Sequence, residues 1–147
     1  MEVAYYCTFA EMGRIVALDY GQKRTGIAVT DPLKLIASGL TTVSTPSLIT
    51  FLKHYNTQES IDLFVVGEPK QMNNTPSESE ALIQPFLTIL ATEFPSVPIQ
   101  RVDERFTSKI ALRTMIDGGI PKKKRQDKAL IDEISATLIL QSYLNQK

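Results

Sequence analysis

The sequence predicts an α/β fold, a mixed sheet with helices on both faces. Three observations support this. Apolar runs of strand length alternate with segments of helical spacing, in the order three strands, helix, strand, helix, strand, helices. The first two strands are joined by a short polar turn and read as a hairpin, so the sheet opens antiparallel. The run Ile61 to Val66, apolar at nearly every position and closed by Gly67, has the pattern of a strand buried on both faces.

The elements follow in order. Arg14 to Leu18 and Thr25 to Thr30 are short apolar runs rich in β-branched residues, and Asp19 to Arg24, containing Gly21, makes the turn between them. Asp31-Pro32 breaks the second strand, and Gly39 to Val43 forms a third, bounded by Ser44 and Pro46. Ser47 is a suitable N-cap for a helix over Leu48 to Tyr55, where Leu48, Ile49, Phe51, Leu52 and Tyr55 fall at helical spacing. Pro76 to about Ala91 reads as a second helix, which Pro85 is expected to kink or divide because proline removes a backbone donor. Ile99 to Val102 is a fifth strand running into Asp103-Glu104-Arg105. Thr107 can cap a helix over Ser108 to Ile116 that stops at Gly118-Gly119, and Asp127 caps a last helix reaching about Leu144. Residues 1–12 show neither alternation nor a helical stripe, and Met12-Gly13 is a natural second start. The expected organisation is therefore an N-terminal extension over 1–12, disordered or misassigned, and a single domain over 13–147.

A chain of 147 residues can bury roughly two-thirds of its unfolded surface in one domain. With 43% hydrophobic and 22% charged residues it is neither disordered nor fibrous. A single Cys7 closes no bridge and offers no zinc pattern, which makes the cytoplasm the expected location. The longest apolar stretches fall well short of the roughly 20 residues that span a bilayer, so no membrane partner is expected. A monomer or weak homodimer is expected. The zero net charge argues against a protein that grips nucleic acid over its whole surface. Locally, however, Lys122, Lys123, Lys124, Arg125 and Lys128 place five positive charges in seven residues, with Asp127 the one acid among them.

Candidate chemistry lies in carboxylates at strand ends. Asp19 follows the first strand, Asp103 and Glu104 follow the fifth, and Asp132 sits in the last helix. Ser135, Ala136, Ile139 and Tyr143 lie at i+3, i+4, i+7 and i+11 from Asp132, so it borders that helix's packing face. A carboxylate there is costly unless something positive or a hydrogen bond meets it. Clustered carboxylates repel one another, and a hard divalent cation such as Mg²⁺ or Mn²⁺ resolves the repulsion while serving phosphodiester cleavage. Plainer readings stand beside this one. Asp19 also suits a turn, Asp103 and Glu104 can pair with Arg101 or Arg105, and Asp132 can pair with Lys128 one turn back. The basic run is a solvated loop when taken alone and a phosphate clamp when placed beside a metal site, and Arg105 orients a phosphate or forms an ion pair. His54, on a mostly polar helix position, and Cys7, with no base in view, are not expected to act in catalysis.

The stretches ALDYGQKRTGIAVTD, VVGEP, VDERFTS and KALIDEISATLILQSYL together resemble the YqgF family. This family is also called RuvX and is described both as Holliday junction resolvase homologues and as pre-16S rRNA nucleases. The resemblance spans residues 13 to about 146 with the motifs in family order. It implies an RNase H-like fold, a five-stranded mixed sheet in the order 3-2-1-4-5 flanked by helices. It also implies a metal-dependent endonuclease acting on structured nucleic acid, pre-rRNA or branched DNA, with a role in maturing the 5′ end of 16S rRNA. The family's first acidic position falls on Asp19, the acidic pair on Asp103 and Glu104, and the helix aspartate on Asp132. The implied catalytic residues are Asp19, Glu104 and Asp132. The implied metal ligands for Mg²⁺ or Mn²⁺ add Asp103, with Glu104 preferred as the second ligand. The chain departs from related resolvases where they carry a fourth-strand glutamate and a second helix acid, because Val65-Val66-Gly67 and Ser135 stand there. A site with fewer fixed acids binds metal weakly or requires substrate phosphates to complete it.

Two other classes compete. LDYGQKRTGIAV also resembles the phosphate-binding hairpin of actin and sugar-kinase type phosphotransferases, but those close two such lobes around a nucleotide and this chain supplies one. A binding protein that keeps the fold without catalysis, serving ribosome assembly or transcription through the Lys122 to Lys128 loop, is the other.

Overall fold

The computed structural model describes residues 13–68, 78–103 and 127–146. These form β1 (Arg14–Asp19), β2 (Arg24–Thr30), β3 (Ala37–Ser44), α1 (Leu48–Gln58), β4 (Ile61–Glu68), α2 (Glu78–Glu93), β5 (Ile99–Asp103) and α3 (Lys128–Gln146). The strands make one five-stranded sheet in the order β3-β2-β1-β4-β5. β3, β2 and β1 are antiparallel neighbours, and β4 and β5 extend the sheet in parallel on the other side of β1. This is the mixed sheet that the sequence predicts. The extension over 1–12 with Cys7 and the expected helix over 108–116 lie outside the described residues.

β1 is the centre of the molecule because its residues alternate between two apolar layers. Val16 and Leu18 join Ile27, Val29, Phe64 and Val66 on one face, where α1 contributes Leu48 and Leu52 and α2 contributes Ile83, Phe86 and Leu90. Ile15 and Ala17 join Ala28, Val65 and Val102 on the other, under Ala136, Ile139 and Leu140 of α3. At about 25 cal/mol per Å² of apolar surface, burial of these side chains is the main force holding the layers together. The two faces differ in size of side chain. Phenylalanines and leucines fill the α1 and α2 side, whereas alanines line the α3 side and let that helix lie close.

Two local expectations are corrected. Ser47 does not cap α1: Thr45–Ser47 already form a turn of 3₁₀-helix, and Ser47 sits at φ −94°, ψ 0° with no side-chain bond to the helix. Its hydroxyl instead meets Ser44 Oγ at 3.0 Å. Pro85 does not divide α2, which runs unbroken through it; the burial of Ile83, Phe86 and Leu90 around it offsets a cost of about 3 kcal/mol for an interior proline. Asp127 does cap α3, its Oδ1 accepting from the Ala129 amide at 3.0 Å.

α3 lies close against the sheet at two glycines. A Cβ on Gly26 would overlap the carbonyl of Asp132, and a Cβ on Gly39 would lie 2.6 Å from Glu133 Oε1. Thr42 Oγ1 adds a 2.6 Å bond to the Ala129 carbonyl one turn earlier. The first turns of α3 therefore rest on bare backbone of β2 and β3. Gly26→Ala is expected to destabilise the protein by about 1–3 kcal/mol, because a methyl group must push the helix backbone away; urea unfolding measures this, and an unchanged midpoint would show that α3 does not lie on β2.

Candidate active site

Asp19 is the last residue of β1, and its cross-strand partner is Gly26. Directly opposed residues of an antiparallel pair project to the same face, and alternation along β1 puts Asp19 with Ile15 and Ala17 on the side of α3. Gly26 in turn lies under the Asp132 carbonyl. Asp19 and Asp132 thus reach the same lip of the sheet from elements more than 100 residues apart in the chain. The sheet register and the helix contact thus bring the backbones of Asp19 and Asp132 to the same end of the sheet.

The Asp132 carboxylate is met by Arg24, whose Nε donates to Oδ2 at 2.7 Å. Both side chains are partly covered, at 35% exposure for Arg24 and 23% for Asp132. The partner weighed from sequence, Lys128, contributes only at longer range. Burial pushes the Asp132 carboxyl above its ordinary value, Arg24 pulls it down by charge and by its hydrogen bond, Asp127 raises it and Lys128 lowers it. The net direction is upward, so withdrawal from water outweighs the cations around it. A site that holds a carboxylate against its solvation in this way is a frequent place for chemistry.

The tips of β4 and β5 are clasped separately. Arg101 of β5 donates Nη1 to Glu80 Oε2 at 3.0 Å and Nη2 to Glu80 Oε1 at 2.7 Å, a two-pronged pair with α2. The same guanidinium donates to the carbonyls of Val66 at 3.2 Å and Gly67 at 3.0 Å. Arg101 therefore pairs with Glu80, outside the set considered from sequence. Ile99 packs with the α1 and α2 layer and Val102 with the α3 layer, so alternation puts Asp103 on the α2 side, opposite to Asp19. Its register partner Glu68 is there too, in line with Phe64 and Val66.

Sequence reasoning also missed Thr45. Its Oγ1 donates to the Gly21 carbonyl at 2.6 Å and lies 3.0 Å from Thr25 Oγ1, while its amide donates to the Lys23 carbonyl at 3.0 Å. These contacts fix the turn that carries Lys23 and Arg24 beside Asp132. His54 is exposed on α1, at 3.3 Å from Gln58 Nε2. Glu104, Arg105 and Lys122 to Arg125 lie outside the described residues.

Among the described residues, no group of three or more His, Cys, Asp or Glu side chains comes together as a metal cage. The donors at the lip are nonetheless of the right kind for a hard cation: two carboxylates, with Asp132 engaged by Arg24 through Oδ2. One turn along α3, the Ser135 hydroxyl is buried with no hydrogen-bond partner among the described residues.

Residues 13–146 match the family model described as RuvX, Holliday junction resolvase. The chain belongs to the RuvX family. A RuvX relative from Christiangramia forsetii, named "Putative pre-16S rRNA nuclease", is 64% identical over 133 residues, covering 90% of this chain and 98% of its own. A protein of the same name from Porphyromonas gingivalis is 59% identical over 134 residues, covering 91% and 97%. Among solved structures, T. thermophilus RuvC in complex with a Holliday junction substrate superposes with a TM-score of 0.53 at 16% identity, covering 91% of this chain and 96% of that one. The likeness to RuvC, with the 3-2-1-4-5 sheet, establishes an RNase H-like fold.

The Arg101–Glu80 pair makes an acid-dependent contribution to stability. Hydrogen bonds from Arg101 hold the Glu80 carboxyl below its ordinary 4.5. The stabilisation is thus complete above the unfolded value and lost as pH falls through the folded one. Glu80→Gln is expected to cost about 1.5–3 kcal/mol at neutral pH and to lose less stability than the parent between neutral pH and about pH 3. Parallel pH profiles for the two proteins would contradict this role.

Proposed function

We propose that this RuvX protein is a metal-dependent endonuclease that hydrolyses phosphodiester bonds in structured RNA, its task being maturation of the 5′ end of a 16S rRNA precursor. The observation that carries the reading is the meeting of Asp19 and Asp132 at one lip of the sheet through Gly26. The naming of relatives from 56% to 64% identity as pre-16S rRNA nucleases supports the substrate class. Asp19 and Asp132, with Glu104, which follows β5 in the sequence, would hold Mg²⁺ or Mn²⁺. Glu104 is preferred to Asp103 because alternation along β5 turns Asp103 to the α2 side. When bound, such a cation would supply Lewis-acid assistance to phosphodiester hydrolysis. The protein's own part is to hold two negative groups at a fixed separation, to keep Asp132 partly dry, and to neutralise part of its charge through Arg24.

Lys122 to Arg125, Arg105 and the exposed Lys128 bind the phosphate backbone, and the protein works in the cytoplasm as a monomer or weak homodimer. No helix among the described residues is long and apolar enough to cross a membrane. Branched DNA is the competing substrate, since the family description and the RuvC complex both concern Holliday junctions.

The test offers a 5′-extended 16S precursor fragment and a four-way DNA junction to the protein with Mg²⁺ or Mn²⁺. Cleavage of the RNA is expected, with Asp19→Asn and Asp132→Asn each lowering it by at least about 10²-fold while RNA binding persists. A chelator is expected to stop the reaction. Cleavage that survives both substitutions would assign the activity to a contaminant. No cleavage of either substrate, with RNA binding intact, would favour a binding protein on the same fold.

A further inference from the structure

Beside the carboxylate lip, the turn between β1 and β2 and the first turn of α3 enclose a cleft of about 360 Å³ lined by Gly21, Gln22, Lys23, Arg24, Lys128 and Asp132. Three of its six lining residues are cations and one is an anion, so the cleft is positive overall. Lys23 and Lys128 are exposed, and neither pairs with a carboxylate among the described residues. The turn is held rigidly by Thr45, through the carbonyls of Gly21 and Lys23.

Arg24 shows most clearly what the cleft takes. Its Nε is committed to Asp132 Oδ2 at 2.7 Å, and this is the one side-chain hydrogen bond it makes among the described residues. The Nη1 and Nη2 groups keep their donors. A guanidinium anchored through Nε presents the rest of its planar fork in a defined direction, the geometry that matches two oxygens of a phosphate. Asp132 needs only one oxygen for this, which leaves Oδ1 available for other duty at the lip.

We propose that this cleft is a seat for one backbone phosphate of the nucleic-acid substrate, gripped by Lys23, Arg24 and Lys128, with Asp132 serving as the positioning residue that aims Arg24. The inference rests on the nuclease reading, since it takes a polynucleotide as the ligand. It adds Lys23 and Arg24 to the substrate-binding set and gives Asp132 two tasks through two oxygens. A phosphate held here lies next to the carboxylate lip, so the seat sets which part of the strand reaches that lip.

The experiment measures binding of a labelled RNA hairpin with a 5′ single-stranded overhang, in chelator so that no cleavage occurs, over a range of salt. Lys23→Gln and Lys128→Gln are each expected to weaken binding and to reduce the slope of log affinity against log salt by about 0.7–0.9. Arg24→Lys keeps the charge without the fork and is expected to bind more weakly than the parent. Asp132→Asn retains an acceptor for Nε and is expected to bind RNA as the parent does, whereas Asp132→Ala releases Arg24 and is expected to match Arg24→Lys. Lys53→Gln, whose lysine pairs with Glu93 away from the cleft, serves as the control and is expected to change nothing. Parent-like affinity and slope in Lys23→Gln, Arg24→Lys and Lys128→Gln would overturn the seat, even if the protein cleaves RNA. Inorganic phosphate displacing the RNA at concentrations equal to those of RNA phosphate would also overturn it, by making the cleft a small-anion site. Loss of binding in these variants together with an inactive parent would leave the seat standing and refute the nuclease reading instead.

Discussion

The structure depends on one contact, the backbone of α3 at Asp132 lying against the bare backbone of Gly26. Hydrophobic layers on both faces of β1 provide most of the folding free energy, but they specify the position of α3 only loosely, because alanines and aliphatic side chains tolerate sliding. A missing Cβ does not. Where the carbonyl of Asp132 occupies the volume of a methyl group, the helix has one depth and one register relative to β2. Since Gly26 is also the cross-strand partner of Asp19, the same contact fixes how the backbones of Asp19 and Asp132 sit relative to one another.

Around that contact the charges are arranged to be tolerable rather than restful. Asp132 is largely withdrawn from water, with its carboxyl held above the ordinary range by burial despite the adjacent Arg24. Arg24 stands on a turn that Thr45 fixes, so its cation cannot simply relax away. On the opposite face, Arg101 spends its donors on Glu80 and on two strand carbonyls, which stiffens the neighbouring strand tips without adding charge to the lip. One guanidinium is saturated and structural; the other is anchored through a single nitrogen and keeps its fork. This difference, read from hydrogen bonds alone, separates a framework ion pair from one placed for binding.

Much of this was legible in the sequence, for identifiable reasons. The apolar runs of β1, β2 and β4 are buried on both faces and cannot be mistaken for loops, and Asp127 announced the start of α3 by its side chain alone. Asp132 could be placed at the edge of a packing face from helical spacing, and Ser135, Ala136 and Ile139 are indeed buried. β3 runs Ala37–Ser44, beyond the Gly39 to Val43 that the sequence pattern indicates, because as an edge strand it is largely exposed and lacks an apolar signature. Ser47 misled because Thr45-Pro46 had already turned the chain into a helical path. The partners of Asp132 and Arg101 could not be read at all: Arg24 and Glu80 are distant in sequence, and only the sheet register and helix depth bring them together. Gly26 carried no local signal either, since its meaning lies in a helix more than 100 residues later.

The central claim is that Asp19 and Asp132 face a common point where a hard cation fits. Anomalous diffraction from crystals soaked in Mn²⁺ tests it most directly. The account predicts a single strong peak, or a close pair, within ligand distance of both carboxylates, on the α3 side of the sheet. A peak bound elsewhere, or carboxylates that stay apart and turned to separate patches of solvent when Mn²⁺ is present, would contradict it.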